Sequence, residues 1–110
     1  MAAVAGAPLP TMAAPMAAIS HSSYFEGAVQ SLGFDRNGRK ATVGVIVPGE
    51  YRFGTDSPER MAIISGQLYV RMEGSDAWEL YAAGSNFEVK GKSAFFVKAA
   101  APCAYLCEYL

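Results

Sequence analysis

The stretch Pro48-Gly-Glu-Tyr-Arg-Phe-Gly-Thr-Asp-Ser-Pro-Glu-Arg-Met-Ala-Ile-Ile-Ser-Gly66 contains two short runs, residues 51–55 and 61–65, rich in β-branched, aromatic and other apolar residues. Glycine and proline lie around both runs, and six residues separate Glu59 from Gly66. Runs of this length between turn-forming residues are typical of β-strands. The stretch therefore predicts two strands joined by a turn, with Glu59 at the entrance of the second.

The same rhythm continues over the rest of the chain from Tyr24 onward, where short apolar runs alternate with glycines. Residues 64–67 and 73–76 resemble hairpin turns. An all-β chain with about eight strands must protect its edges, and a small closed barrel or jelly roll does so. We therefore expect an all-β fold, with predicted strands at residues 40–47, 51–55, 61–65, 67–72, 77–81, 87–90, 95–99 and 103–110.

The N-terminal segment differs in composition from the rest of the 110-residue chain. Residues 1–20 contain eight Ala but no charged or aromatic residue, and prolines at 8, 10 and 15 prevent a continuous helix. We predict a disordered leader over residues 1–20 and a single barrel domain over residues 21–110. The chain is too short for a dinucleotide-binding fold with a second domain.

Charge and cysteine content exclude several classes of function. A formal net charge of -1 without a basic cluster disfavours nucleic acid as a partner. No apolar run is long enough to span a bilayer, and the N-terminus lacks the positive region of a secretory signal, which predicts a cytoplasmic protein. Cys103 and Cys107 lie too far apart along a strand for a disulfide and are predicted to be reduced packing residues.

Two segments resemble the short motifs of the cupin superfamily, in which an inward-facing glutamate and two turn glycines lie on a small double-stranded β-helix. They are the stretch from Pro48 to Gly66 and the later stretch from Gly84 to Gly91. Cupin metal sites use histidines from both motifs, but this chain has one histidine, His21, beside the leader. A metal site of that kind cannot be assembled, so we expect no metal.

A more specific resemblance covers residues 24–110. The chain is similar to the pyrimidine/purine nucleoside phosphorylase family in Tyr24-Phe-Glu-Gly27, Ser31-Leu-Gly-Phe34, Val43-Gly-Val45, Gly49-Glu-Tyr-x-Phe53, Pro58-Glu-x-Met61, Ile64-Ser-Gly66, Trp78, Tyr81-x-Ala-Gly-Ser85, Phe87-x-Val89, Ser93 and Tyr105-Leu-Cys-x-Tyr-Leu110. The resemblance implies phosphorolysis of purine and pyrimidine nucleosides to the free base and ribose 1-phosphate. Inorganic phosphate is then a co-substrate and no cofactor is expected. Because cupins commonly pair their barrels, it also implies a homodimer.

Such a reaction needs a group that holds the ribose and an aromatic or apolar slot for the base. Glu59 is the predicted catalytic carboxylate, although a hydrogen-bonded structural glutamate would fit the same position. Tyr51, Phe53 and Met61 share its parity along neighbouring strands and are predicted to line the same cavity or to pack in the core. Trp78 is predicted to be an anchor in the core or at an interface.

Phosphate needs cationic or backbone donors. Lys40, Arg39 and Arg52 are the candidate cations, and Ser65 and Ser85 beside turn glycines are candidate anion contacts. Surface charges and local turn hydrogen bonds would explain the same residues. The competing interpretation of the whole chain is a non-catalytic cupin that binds a small ligand as a sensor or an interaction module.

Overall fold

The structure, a computed structural model, describes residues 18–110. The predicted leader therefore lies outside the described residues, apart from its last three positions. The described part is almost entirely β, as the sequence predicts, with one short 3₁₀ turn at Phe25–Gly27. The strands are β1 Ser20–Tyr24, β2 Val29–Arg36, β3 Arg39–Ile46, β4 Gly49–Thr55, β5 Glu59–Ser65, β6 Gln67–Met72, β7 Glu79–Ala82, β8 Asn86–Val89, β9 Ser93–Ala99 and β10 Cys103–Tyr109.

The strands form two antiparallel sheets whose apolar faces pack together. The larger sheet has the order β1-β2-β3-β10-β5-β8, and the smaller sheet has the order β4-β9-β6-β7. Along most strands buried and exposed positions alternate, because successive side chains point to opposite faces. The core between the sheets joins Met61 and Phe87 of the larger sheet to Leu68, Phe95 and Val97 of the smaller sheet.

The turn at residues 64–67 is not a hairpin, and that prediction was wrong. It carries the chain from β5 in the larger sheet to β6 in the smaller one. Gly66 adopts φ +82°, and a Cβ at this position would lie 2.6 Å from the carbonyl oxygen of Pro102. Only glycine fits both the backbone conformation and the close approach. The turn at residues 73–76 does belong to a hairpin, formed by β6 and β7.

Two strands, β1 and β2, were not predicted. The inward positions of β2 include Ser31 and Gly33, which give no apolar alternation. Trp78 lies just before β7 and outside the hydrophobic core, so of its two predicted roles the one at an interface stays a prediction. The Nζ of Lys98 lies 4.0 Å from the centre of its ring on the outer face of the smaller sheet.

Candidate active site

A cavity of about 150 Å³ lies between the two sheets. Seven strands contribute to its wall, so it is formed by the tertiary fold and not by one local segment. Its lining residues combine aromatic rings, hydroxyl groups, one thiol and one carboxylate. They are Tyr24, Ser31, Thr42, Phe53, Gly54, Glu59, Met61, Phe95, Tyr105, Cys107 and Tyr109.

The register of the larger sheet explains how these side chains come together. Cys107 of β10 is paired with Thr42 of β3 on one side and with Met61 of β5 on the other. Two residues further along β10, Tyr109 is paired with Glu59. Alternate residues of a strand share a face. The side chains of these neighbouring positions therefore point into the same cavity.

Glu59 is the first residue of β5, and only 9% of its surface is exposed. The thiol of Cys107 donates a hydrogen bond to Oε1 of Glu59, with a separation of 3.4 Å. Burial raises the pKa of Glu59, and the nearby carboxylate of Asp56 raises it further, whereas the thiol donor lowers it. The cavity thus contains a carboxylate with few groups that stabilise its charge. Raised pKa values of this kind are common among functional carboxylates.

Two buried tyrosines bring phenol groups to the cavity. Burial raises the pKa of Tyr105, and it raises the pKa of Tyr109 to about 12. Both phenols therefore remain protonated at neutral pH and can donate hydrogen bonds. The ring of Tyr105 lies across Gly44, where a Cβ would come within 2.5 Å of its Cζ atom. Gly44 thus makes room for this part of the wall.

Three of the predicted site residues line the cavity together. They are Glu59, Phe53 and Met61. The ring of Phe53 meets that of Phe95 edge to face, with 5.4 Å between the centroids. Tyr51 is half-buried but does not line the cavity: its hydroxyl donates to the carbonyl oxygen of Val47 at 2.9 Å.

Lys40 is exposed and lies outside the lining, but it stands next to the cavity. It occupies β3 two residues before Thr42, and its Nζ lies 5.4 Å from the centre of the Tyr109 ring. Since Tyr109 lines the cavity, Lys40 is placed at its rim. Ser65 is the exposed last residue of β5 and is not part of the cavity wall.

The remaining candidates lie away from the cavity and have local partners or solvent around them. Arg52 forms an ion pair with Glu73 at 3.1 Å. The hydroxyl of Ser85 donates to the carbonyl oxygen of Ala82 within its own turn. Arg39 is exposed, and Nε2 of His21 lies 3.0 Å from the side-chain oxygen of Gln30 at the surface.

Sequence reasoning missed the polar side of the cavity. Tyr105, Cys107 and Tyr109 alternate along β10, and this alternation was a signal that they share a face. The pairing of β10 with β5 and β3 is long-range, however, and no local pattern predicts it. Both cysteines are free and buried, as predicted, but Cys107 is also part of the cavity wall.

Glu59 is the one charged side chain among the residues that line this cavity, and no Lys, Arg or His lies beside it in the wall. Within residues 18–110, no three His, Cys, Asp or Glu side chains are grouped closely enough to hold a metal ion. In the same part of the chain, no helix has the length and apolar character needed to cross a membrane.

The two-sheet architecture with a cavity between the sheets is that of the cupins. A cupin superfamily protein from Desulfitobacterium hafniense has a similar structure, with a TM-score of 0.63 at 10% sequence identity. The similarity covers 84% of this chain and 83% of that protein. At this level of identity the comparison shows the fold alone, and the chain has the cupin fold.

The sequence comparisons are more specific. The model of the family "Pyrimidine/purine nucleoside phosphorylase" matches residues 19–109. A relative of that name from Sorangium cellulosum is 55% identical over 92 residues, covering 84% of this chain and 99% of the relative. A Vibrio parahaemolyticus protein of unknown function has a similar structure, with a TM-score of 0.83 at 48% identity, covering 86% of this chain and all of that one. The chain belongs to the pyrimidine/purine nucleoside phosphorylase family.

Proposed function

We propose that this protein catalyses the phosphorolysis of purine and pyrimidine nucleosides, giving the free base and ribose 1-phosphate. The observation that carries the proposal is the buried Glu59 carboxylate in a cavity lined by phenols and aromatic rings. The name that the relatives share supports it.

The reaction breaks the bond between C1′ of the ribose and the base nitrogen, whose electron pair leaves with the base. A phosphate oxygen then forms the new bond to C1′, and the proton that hydrogen phosphate loses in this step is taken up by the base nitrogen. Positive charge develops on the sugar while the old bond breaks. A carboxylate in a cavity screened from water stabilises such charge strongly. Glu59 would accept hydrogen bonds from the ribose hydroxyls and stabilise this charge at C1′.

The base would lie against the aromatic wall formed by Phe53 and Phe95. Stacking on an aromatic ring tolerates every base, because each base has a π-face. The phenols of Tyr105 and Tyr109 would donate hydrogen bonds to oxygens of the nucleoside. A slot that recognises the base mainly by stacking agrees with a substrate range that includes purines and pyrimidines.

Phosphate would enter at the rim, where Lys40 is the nearest candidate cation. Its ammonium group lies over the ring of Tyr109 and is otherwise exposed, so it is available to an anion.

We propose no metal for the reaction. The one histidine of the chain, His21, makes its contact with Gln30 on the surface, so the usual cupin ligand set cannot form.

The test is base release from uridine and inosine by chelator-treated protein, with and without inorganic phosphate. We expect release that depends on phosphate and yields ribose 1-phosphate. Lys40→Met should raise the KM for phosphate by about tenfold or more, with little effect on the KM for nucleoside. Arg39→Met, an exposed cation on the same strand, is the matched control. If no base is released in a phosphate-dependent way from any of several nucleosides, the proposed enzyme activity is wrong.

A non-catalytic ligand binder remains the second candidate, because no cationic side chain lines the cavity itself. A sensor of this kind would bind nucleosides without turning them over. Isothermal titration calorimetry with uridine in the absence of phosphate, run beside the turnover assay, distinguishes the ligand binder from the enzyme. Binding without turnover at any phosphate concentration favours the sensor.

We also propose that the protein forms a homodimer through the outer face of its larger sheet. Exposed apolar side chains lie there on β2, on its neighbour β3, and on β5, which β10 separates from β3. They are Leu32, Val43, Val45 and Ile64. A second copy offers the same apolar surface and can cover it by two-fold symmetry. Sedimentation should show a dimer that Val45→Glu dissociates, and a monomeric wild-type protein would contradict this. A cytoplasmic location stays a prediction.

A further inference from the structure

The thiol of Cys107 is among the polar groups of the cavity wall that the proposed mechanism leaves without a role. Cys107 lies near the middle of β10, and 4% of its surface is exposed. Its paired residues, Thr42 and Met61, are themselves part of the cavity wall. The thiol is therefore held on both sides by strands of the same sheet, and its position is set by the backbone register.

The thiol is directed at the carboxylate that the mechanism uses. Its Sγ atom lies 3.4 Å from Oε1 of Glu59. Among residues 18–110, this is the one side-chain hydrogen bond that reaches the Glu59 carboxylate. Tyr109 is paired with Glu59 across the two strands, so the thiol approaches from the next inward position of β10.

The electrostatic surroundings make this thiol a donor and not a nucleophile. Burial and the negative charge of Glu59 raise the pKa of Cys107, so the sulfur keeps its proton at neutral pH. A thiol is a weak donor with a long bond. It can orient a carboxylate while leaving most of its charge available to a substrate.

We propose that Cys107 is a positioning residue that holds the Glu59 carboxylate in the orientation needed to bind the ribose hydroxyls. This role rests on the proposed phosphorolysis. It predicts that the donated hydrogen bond, and not the volume of the sulfur, matters for activity.

The titratable groups that face Glu59 are few. Cys107 and Tyr109 approach from β10, and Asp56 lies in the segment before β5. On the other side, β8 places the apolar Val89 opposite Glu59. Removing the thiol donor should therefore raise the pKa of Glu59, since the remaining groups do not replace the bond.

The experiment compares three variants by their pH profiles of kcat/KM for nucleoside. Cys107→Ala removes the donor, and we expect about a tenfold loss with the acid limb moved to higher pH. Cys107→Ser keeps a donor and should restore most of the activity and the wild-type limb. Cys103→Ala is the matched control, because Cys103 is a buried inward residue of the same strand that does not line the cavity.

An acid limb that Cys107→Ala leaves unmoved, or moves no further than Cys103→Ala does, overturns the role. A Cys107→Ser variant that behaves like Cys107→Ala also overturns it. If the wild-type protein shows no phosphorolysis at all, the proposed function has failed, and the hydrogen bond is tested separately. The carboxyl ¹³C resonance of Glu59, assigned with Glu59→Gln, should then still titrate at higher pH in Cys107→Ala than in the wild type.

Discussion

Replacing Gly44 by alanine tests the packing that forms the cavity wall. The added Cβ would lie 2.5 Å from Cζ of Tyr105, about 0.9 Å short of the 3.4 Å at which ordinary contact begins. Tyr105 is 6% exposed, and the free space beside its ring is the cavity that it lines. Overpacking of this size costs about 2 kcal/mol. For a domain of this length that lowers the Tm by roughly 10 °C.

Thermal unfolding followed by circular dichroism measures the effect. Gly54→Ala is the control, since a Cβ on that strand residue meets nothing within 4 Å and the change should be neutral or slightly stabilising. In a Tyr105→Leu background, Gly44→Ala should lose most of its cost, because the colliding ring is gone. The reasoning is refuted if Gly44→Ala is as mild as Gly54→Ala, or if its cost is the same in both backgrounds.

Two further predictions concern charged residues. Folding raises the pKa of Glu59, so the unfolded chain releases this proton at lower pH than the folded one. The contribution of Glu59 to stability is therefore present below pH 4.5, the ordinary pKa of the carboxyl group, and is lost as the pH rises through the pKa of the folded state. Glu59→Gln should abolish base release, because the variant lacks the catalytic carboxylate, and its stability relative to the wild type should rise between acidic and neutral pH. Urea denaturation at pH 4 and pH 7 measures the free energy of unfolding of both proteins, and an equal difference between them at the two pH values would count against the prediction. Arg36→Met breaks the 2.7 Å ion pair with Glu108, both partly exposed, and should cost less than about 1 kcal/mol in the same assay; a loss several times larger would contradict it.

Most of the strands could be predicted because their signal is local. The predicted strand at residues 67–72 coincides with β6, and those at 61–65 and 95–99 differ from β5 and β9 by two residues at one end. Alternation along a strand also places Glu59 and Met61 on one face, and both line the cavity in the structure. β2 escaped prediction because its inward Ser31 and Gly33 carry no apolar signal.

The sequence by itself determined the all-β class, the positions of most strands and the family, since turn glycines, period-two alternation and motif spacing can be read locally. The tertiary structure alone decided which strands are neighbours. Pairing of β10 with β5 brings Cys107 and Glu59 together across 48 positions of sequence. It also decided that Lys40 stands at the rim and that Ser65 lies elsewhere. The composition of the cavity depends on long-range pairing, and long-range pairing is a property of the whole packed chain.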